Sequence, residues 1–77
     1  MEQIEIGRRI AEARAAKGLT QQQLAEKIGH AVRTIAAWEG NTRHPRTDAM
    51  AQIAEALGHP VAWFYAEHPD ATGRRAA

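Results

Sequence analysis

The stretch TQQQLAEKIG at 20–29 opens on a helix-capping signature and closes on a glycine. A second helical stretch, HAVRTIAAWEG at 30–40, follows at once. Thr20 and Gln23 have the S/T-x-x-E/Q spacing in which each side chain satisfies the other's backbone N–H. Leu24 and Ile28 then form an apolar stripe, and Gly29 stands where a left-handed turn costs least. Ile35 and Trp38 face inward by their own spacing. Two short helices around a glycine point to a helix-turn-helix arrangement.

The flanking residues predict three more helices. The first is expected over 3–17, with Ile6, Ile10 and Ala13 on one face and Gly18 as its stop. The helix at 31–39 starts poorly, because Ala31 stands where a small polar cap is usual, a deficit of about 1 kcal/mol. His30 stands beside it as a partial substitute. GNTRHPR at 40–46 reads as a loop. A fourth helix is expected over 47–57, with Met50, Ile53, Ala54 and Leu57 inward and Gly58 as its stop. Pro60 suits the first turn of a fifth, over 60–67. The expected organisation is one domain over 1–69 and a flexible tail over 70–77. The expected fold class is all-α, with five helices and no strand system.

The chain has 77 residues, enough for one small core. A domain of this size buries only about 60% of its unfolded surface. Half of its apolar residues are alanine, so the few large side chains must be well placed. There is no cysteine, which excludes disulfides and thiolate metal sites and fits a reducing compartment. No apolar run approaches the length of a membrane span, so no membrane partner is expected. The net charge is +1, but it is unevenly spread. Residues 29–46 carry Arg33, Arg43 and Arg46 against Glu39, whereas 47–70 carry four carboxylates and no Lys or Arg. Such a patch, rather than total charge, marks an electrostatic footprint.

GLTQQQLAEKIGHAVRTIAAWEGNTRHP resembles the Cro/cI-type (Xre) helix-turn-helix family. That family's pattern is G-L-T-Q-x-x-L-A-x-x-x-G followed by x-x-x-T-I-x-x-W-E-x-G-x-x-x-P. IAEALGHPVAWFY resembles its fourth-to-fifth helix segment, so the likeness spans about 18–65. It implies a lambda-repressor-like five-helix domain that binds double-stranded DNA as a homodimer and regulates transcription, as a repressor, in the cytoplasm of a bacterium or in a phage. It also implies that Arg14, late in the first helix, pairs structurally with Glu39. The chain departs from the pattern at WEGN, where Gly40 and Asn41 are exchanged relative to W-E-x-G. Asn tolerates the left-handed conformation, so the turn is expected to survive.

The resemblance assigns DNA contacts residue by residue. Gln21, at the start of the second helix, becomes a phosphate ligand, assisted by free N–H groups there. Val32, Arg33 and Ala37 become the base-facing positions. Arg33 is the only strong polar reader; its fork suits guanine O6 and N7, and it also suits a phosphate. Val32 and Ala37 can touch only apolar groups such as thymine methyls. Ala36 leaves room for close approach. Thr34 suits either a phosphate contact or a structural role. Asn41, Arg43 and Arg46 lie where the family approaches the backbone.

Catalytic and metal chemistry find little support. His30, His44, His59 and His68 include no i, i+4 pair, and no Ser or Cys nucleophile exists. No cofactor, metal or enzymatic activity is expected. In VAWFYAEH at 61–68, Val61 and Phe64 make the inward pair by spacing. Trp63 and Tyr65 then read as a homodimer contact or as a core-capping aromatic cluster, the dimer being the expectation. The alternative function is a protein-interaction module of antitoxin or adaptor type on the same fold, with a protein partner in place of DNA.

Overall fold

The computed structural model describes residues 6–65. Five helices follow in order: α1 (Ile6–Ala16), α2 (Gln21–Ile28), α3 (Val32–Glu39), α4 (Thr47–Leu57) and α5 (Val61–Tyr65). Among the described residues there is no strand. The all-α, five-helix expectation therefore holds. The 70–77 tail, and the helical limits expected at 3–5 and 66–67, lie outside the described residues.

The capping box at α2 is present in both directions. Gln23 N–H donates to the Thr20 hydroxyl at 3.0 Å, and Thr20 N–H donates to Gln23 Oε1 at 2.8 Å. Gly29 closes α2 at φ 76° and ψ 33°, the left-handed turn that lets α3 begin three residues later. α3 then packs on α2 and on α1, and α2 packs on α4. Leu24 and Ile35 are fully enclosed, and Ala25 lets the two helices approach. Ile10, Met50, Ile53 and Phe64 complete the interior, with Trp38 5% exposed at its edge.

α3 starts at Val32 with Ala31 as its N-cap, and no side chain bonds to its first turn. His30 does not substitute. Its ring meets Trp38 edge-on, with centroids 5.0 Å apart, and its Nε2 lies 3.3 Å from Gln52 Oε1. Ala31 already has the extended backbone a capping residue needs, φ −75° and ψ 148°. Ala31→Ser should therefore add about 1 kcal/mol of stability. In a domain of this size that raises the thermal midpoint by roughly 4–8 °C. An unchanged midpoint would mean that solvent already serves those N–H groups.

The end of α3 resolves the exchanged Gly40 and Asn41. Asn41 adopts φ 61°, the left-handed conformation. Asn41 N–H donates to Trp38 O at 3.2 Å, and Thr42 N–H donates to Ala37 O at 3.0 Å. This 5→2 and 6→1 pattern is a Schellman ending with asparagine in the position glycine usually takes. The asparagine adds something glycine lacks: its Oδ1 accepts the Gly7 N–H at 3.2 Å, tying the start of α1 to the end of α3.

α5 departs from the expected facing. Phe64 is fully buried, but Val61 is 39% exposed and does not pair with it. Trp63 takes that place, half-buried against the core. A five-residue helix has little more than one turn, so its facing is set by its neighbours rather than by an apolar period. Trp63 stacks on His59 at 3.8 Å and meets Phe64 edge-on at 4.9 Å. The Arg9 guanidinium carbon stands 4.5 Å from the Trp63 ring centroid. Arg9 is 7% exposed on the inward side of α1, and this cation–π contact accommodates its head beside apolar neighbours.

Candidate nucleic-acid interface

α3 turns Ile35 and Trp38 inward, and the geometry of a helix then fixes what faces out. Val32, Arg33 and Ala36 are exposed, and Ala37 and Thr34 are partly covered. Val32 and Ala36 lie one above the other at i, i+4, with Arg33 beside them. The outward face is therefore nearly flat, apolar, and marked by one guanidinium.

The loop after α3 brings cations to that helix. Ala37 O accepts Thr42 N–H, the Thr42 hydroxyl at 3.2 Å and Arg43 N–H at 3.3 Å, so Arg43 is anchored by its backbone at the end of α3. Arg43, His44 and Arg46 are exposed. With Thr34 they line a shallow cleft of about 330 Å3 that Asp48 and Ala49 close from α4. Arg43 and Arg46 thus share that cleft with Thr34 of α3, while Arg33 is exposed on α3 outside it. Asn41 is exposed on the same loop, and its side-chain oxygen accepts the Gly7 N–H.

Gln21 stands at the first position of α2. Its Nε2 donates to Glu39 Oε1 at 2.9 Å, so its amide is held against the end of α3. Thr20 accepts from Gln23 N–H, which leaves the first N–H groups of α2 to an outside acceptor. No acidic side chain lies in that turn to compete with an anion.

Glu39 is the centre of a part-buried polar cluster. Arg14 grips it with two donors, Nε to Oε2 at 2.7 Å and Nη2 to Oε1 at 3.1 Å. Arg14 Nη1 also donates to Leu19 O at 2.7 Å, reaching the α1–α2 turn. The side chains are 18% and 8% exposed. The hydrogen bond to Glu39 raises the Arg14 pKa above its ordinary value, burial opposes this, and the Glu39 charge adds to the rise. One ion pair therefore joins α1, the α1–α2 turn, the start of α2 and the end of α3.

Sequence reasoning passed over Gly7 and Arg9. A β-carbon at Gly7 would fall inside van der Waals distance of the Trp38 and Glu39 carbonyl oxygens. The signal available was a lone glycine near the start of an otherwise regular helix. For Arg9 there was none, since an arginine among apolar positions reads as a solvated face. Among the described residues no group of His, Asp or Glu is arranged to hold a metal. None of the described helices is long and apolar enough to cross a membrane.

The model of the helix-turn-helix family matches residues 10–64. The human protein endothelial differentiation-related factor 1 is 36% identical over 55 residues, 71% of this chain and 37% of its own length. The chain thus spans little more than a third of that relative. Among solved structures, the N-terminal DNA-binding domain of SinR from Bacillus subtilis superposes with a TM-score of 0.78 at 29% identity, covering 84% of this chain and 96% of that one. The Bacillus thuringiensis protein PlcR, solved with the peptide PapR7 and DNA, gives 0.74 at 32% identity over 82% of this chain and 22% of its own. The restriction-modification controller protein C.AhdI from Aeromonas hydrophila gives 0.76 at 27% identity over 80% and 94%. The capped turn, the Arg14–Glu39 pair, the five-helix order and these matches agree, and the chain belongs to the Xre-type helix-turn-helix family.

Proposed function

We propose that this chain is a sequence-specific double-stranded DNA-binding domain of a transcription regulator, a repressor that acts as a homodimer with α3 in the major groove. The observation that carries the reading is the exposed, mostly apolar outer face of α3, with the Gln21 amide held at Glu39 and the exposed Arg43 and Arg46 on the loop that follows. Phosphate contacts position such a domain and base contacts specify sequence. Gln21, Thr34, Arg43 and Arg46 take the first role. Val32, Arg33, Ala36 and Ala37 take the second. Asn41, exposed on the same loop, takes the first role as well. The solved complex of PlcR, a structural relative, includes DNA, which supports the same partner here. The setting that fits is the cytoplasm of a bacterium or a phage-infected cell.

The homodimer reading rests on α5. Val61 and Tyr65 are each 39% exposed, large apolar groups on one short helix. Tyr65 is therefore the stronger contact of the pair named from sequence, because Trp63 already stacks within its own chain. The same two residues favour the second reading, in which α5 binds a different protein and the domain serves as an interaction module.

Fluorescence-anisotropy titration against random duplexes at several salt concentrations, followed by selection of bound sequences, tests the proposal. A dimer should select a palindrome with half-sites about 34 Å apart and bind with a steep salt slope. Arg33→Ala should cost roughly 1–3 kcal/mol at one base pair and relax preference there. Arg43→Ala should weaken all duplexes alike and lower the salt slope by about one. Absence of salt-sensitive binding at low ionic strength would end the DNA reading in favour of the protein partner.

A further inference from the structure

His30 and His44 have no part in the reading above, yet both line the cleft between α3 and α4. One stands before the first turn of α3 and the other after its last, so only the fold brings them to one place. His30 is half-buried; its ring meets Trp38 edge-on, and its Nε2 lies 3.3 Å from Gln52 Oε1. His44 is exposed, but its backbone is held on both sides. Arg43, before it, is fastened by its N–H to Ala37 O. Pro45, after it, is buried, and proline biases the residue before it toward extended backbone.

The groups that face the two imidazoles favour an anion between them. The loop brings two permanent cations, Arg43 and Arg46. From α3 come Thr34 and Trp38, neither of them charged. From α4 come the Gln52 amide oxygen and one carboxylate, Asp48, whose Oδ1 already accepts the Ala49 N–H at 2.9 Å. A proton on either imidazole turns it into a cation with two N–H donors, and histidine makes that change between about pH 5 and 8. An oxyanion in the cleft offsets the arginine charges and turns each such proton into a charge-assisted hydrogen bond. We propose that the cleft is a proton-linked oxyanion site, in which His30 and His44 join Arg43 and Arg46 around one phosphoryl-type group and take up protons from solvent as it binds. A duplex backbone and a free tetrahedral anion both supply that chemistry. With the duplex as source, this rests on the DNA-binding reading above and adds proton control to it.

The test has two arms, each run from about pH 7.5 to about pH 5.5 at constant ionic strength. In the first, affinity for the selected duplex is followed by fluorescence anisotropy. It should rise roughly tenfold over that span, and the pH slope of log affinity counts the protons taken up. His44→Gln should remove about half of the rise while keeping its thermal midpoint, since His44 is outside the core. His30→Gln together with His44→Gln should leave affinity level with pH. In the second arm sodium sulfate replaces sodium chloride, because sulfate is a tetrahedral dianion that gains no proton in this range. It should raise the wild-type midpoint more at the acid end, and the double variant should lack that extra gain. A duplex effect without a sulfate effect assigns the site to the DNA backbone. A sulfate effect in a protein that binds no duplex assigns it to a free anion and ends the DNA reading alone. Duplex binding that ignores pH, with no sulfate effect, overturns the oxyanion site and leaves DNA binding intact. A full pH slope retained by His44→Gln or by the double variant overturns it also.

Discussion

Glu39→Ala should destabilise the domain by about 3 kcal/mol, because it strands a largely covered guanidinium. Arg14 Nε and Nη2 both lose their acceptor, and the Gln21 amide loses the anchor that holds it at the head of α2. The geometry is the bidentate fork that makes an arginine–carboxylate pair strong, and both side chains are largely shielded from salt. In a domain this small, the loss lowers the thermal midpoint by more than about 10 °C. Arg14→Ala should cost a similar amount, since it leaves the Glu39 carboxylate with the Gln21 amide alone and the Leu19 carbonyl without its arginine donor. Arg14→Met with Glu39→Leu should recover much of the loss, because neither charge then remains buried alone. A double-mutant cycle by thermal melts reads the coupling directly. A cost below about 1 kcal/mol for Glu39→Ala would place the pair among surface ion pairs and sink this account. The pH behaviour has a definite sign. The Arg14 pKa is raised on folding, so its contribution is complete below the unfolded value and is lost only as pH climbs through the folded one. From neutral pH into moderately alkaline solution the melt should show no loss of stability traceable to this arginine.

What could be read ahead of the structure was local. Thr20, Gln23 and Gly29 act on backbone groups within a few residues, so the sequence around them is sufficient to place α2 and its turn. Asn41 was legible for the same reason: a left-handed position follows from a helix end and a residue that tolerates it. The Arg14–Glu39 pair spans 25 residues and came from the family likeness, not from any pattern in the chain. The illegible features are tertiary. The spacing of Val61 and Phe64 suggested one facing, and the packing of Trp63 on His59 and Arg9 imposed another. The outward face of α3 lies between these cases. Knowing that Ile35 and Trp38 go inward places Val32, Arg33 and Ala36 outside, but not that Arg43 is fastened to the end of the same helix through Ala37 O.

The same tertiary logic makes Gly7→Val the second large effect. At Gly7 the backbone of α1 meets the carbonyl oxygens of Trp38 and Glu39, and a β-carbon has no room there. The obstacle is main chain of a neighbouring helix, which cannot swing aside as a side chain would. Overpacking against side chains costs about 1–3 kcal/mol, so a clash with backbone belongs at or above the top of that range. α1 must either tilt away or lose the Gly7 N–H bond to Asn41, and both outcomes loosen the end of α3. Gly7→Ala already meets the clash, and Gly7→Val adds bulk to it, so the two should rank in that order by denaturant melts. Conformational freedom is not the cause, because Gly7 lies within α1, where alanine is the better helix former. An alanine variant at least as stable as the wild type would show that α1 can shift without cost and that the close approach is incidental. If the approach matters as argued, Asn41→Gly tests its other half. Glycine keeps the left-handed turn but removes the Oδ1 acceptor, so it should cost about 1 kcal/mol, far less than Gly7→Val. The gap between those two values separates the cap on α1 from the contact that seats it.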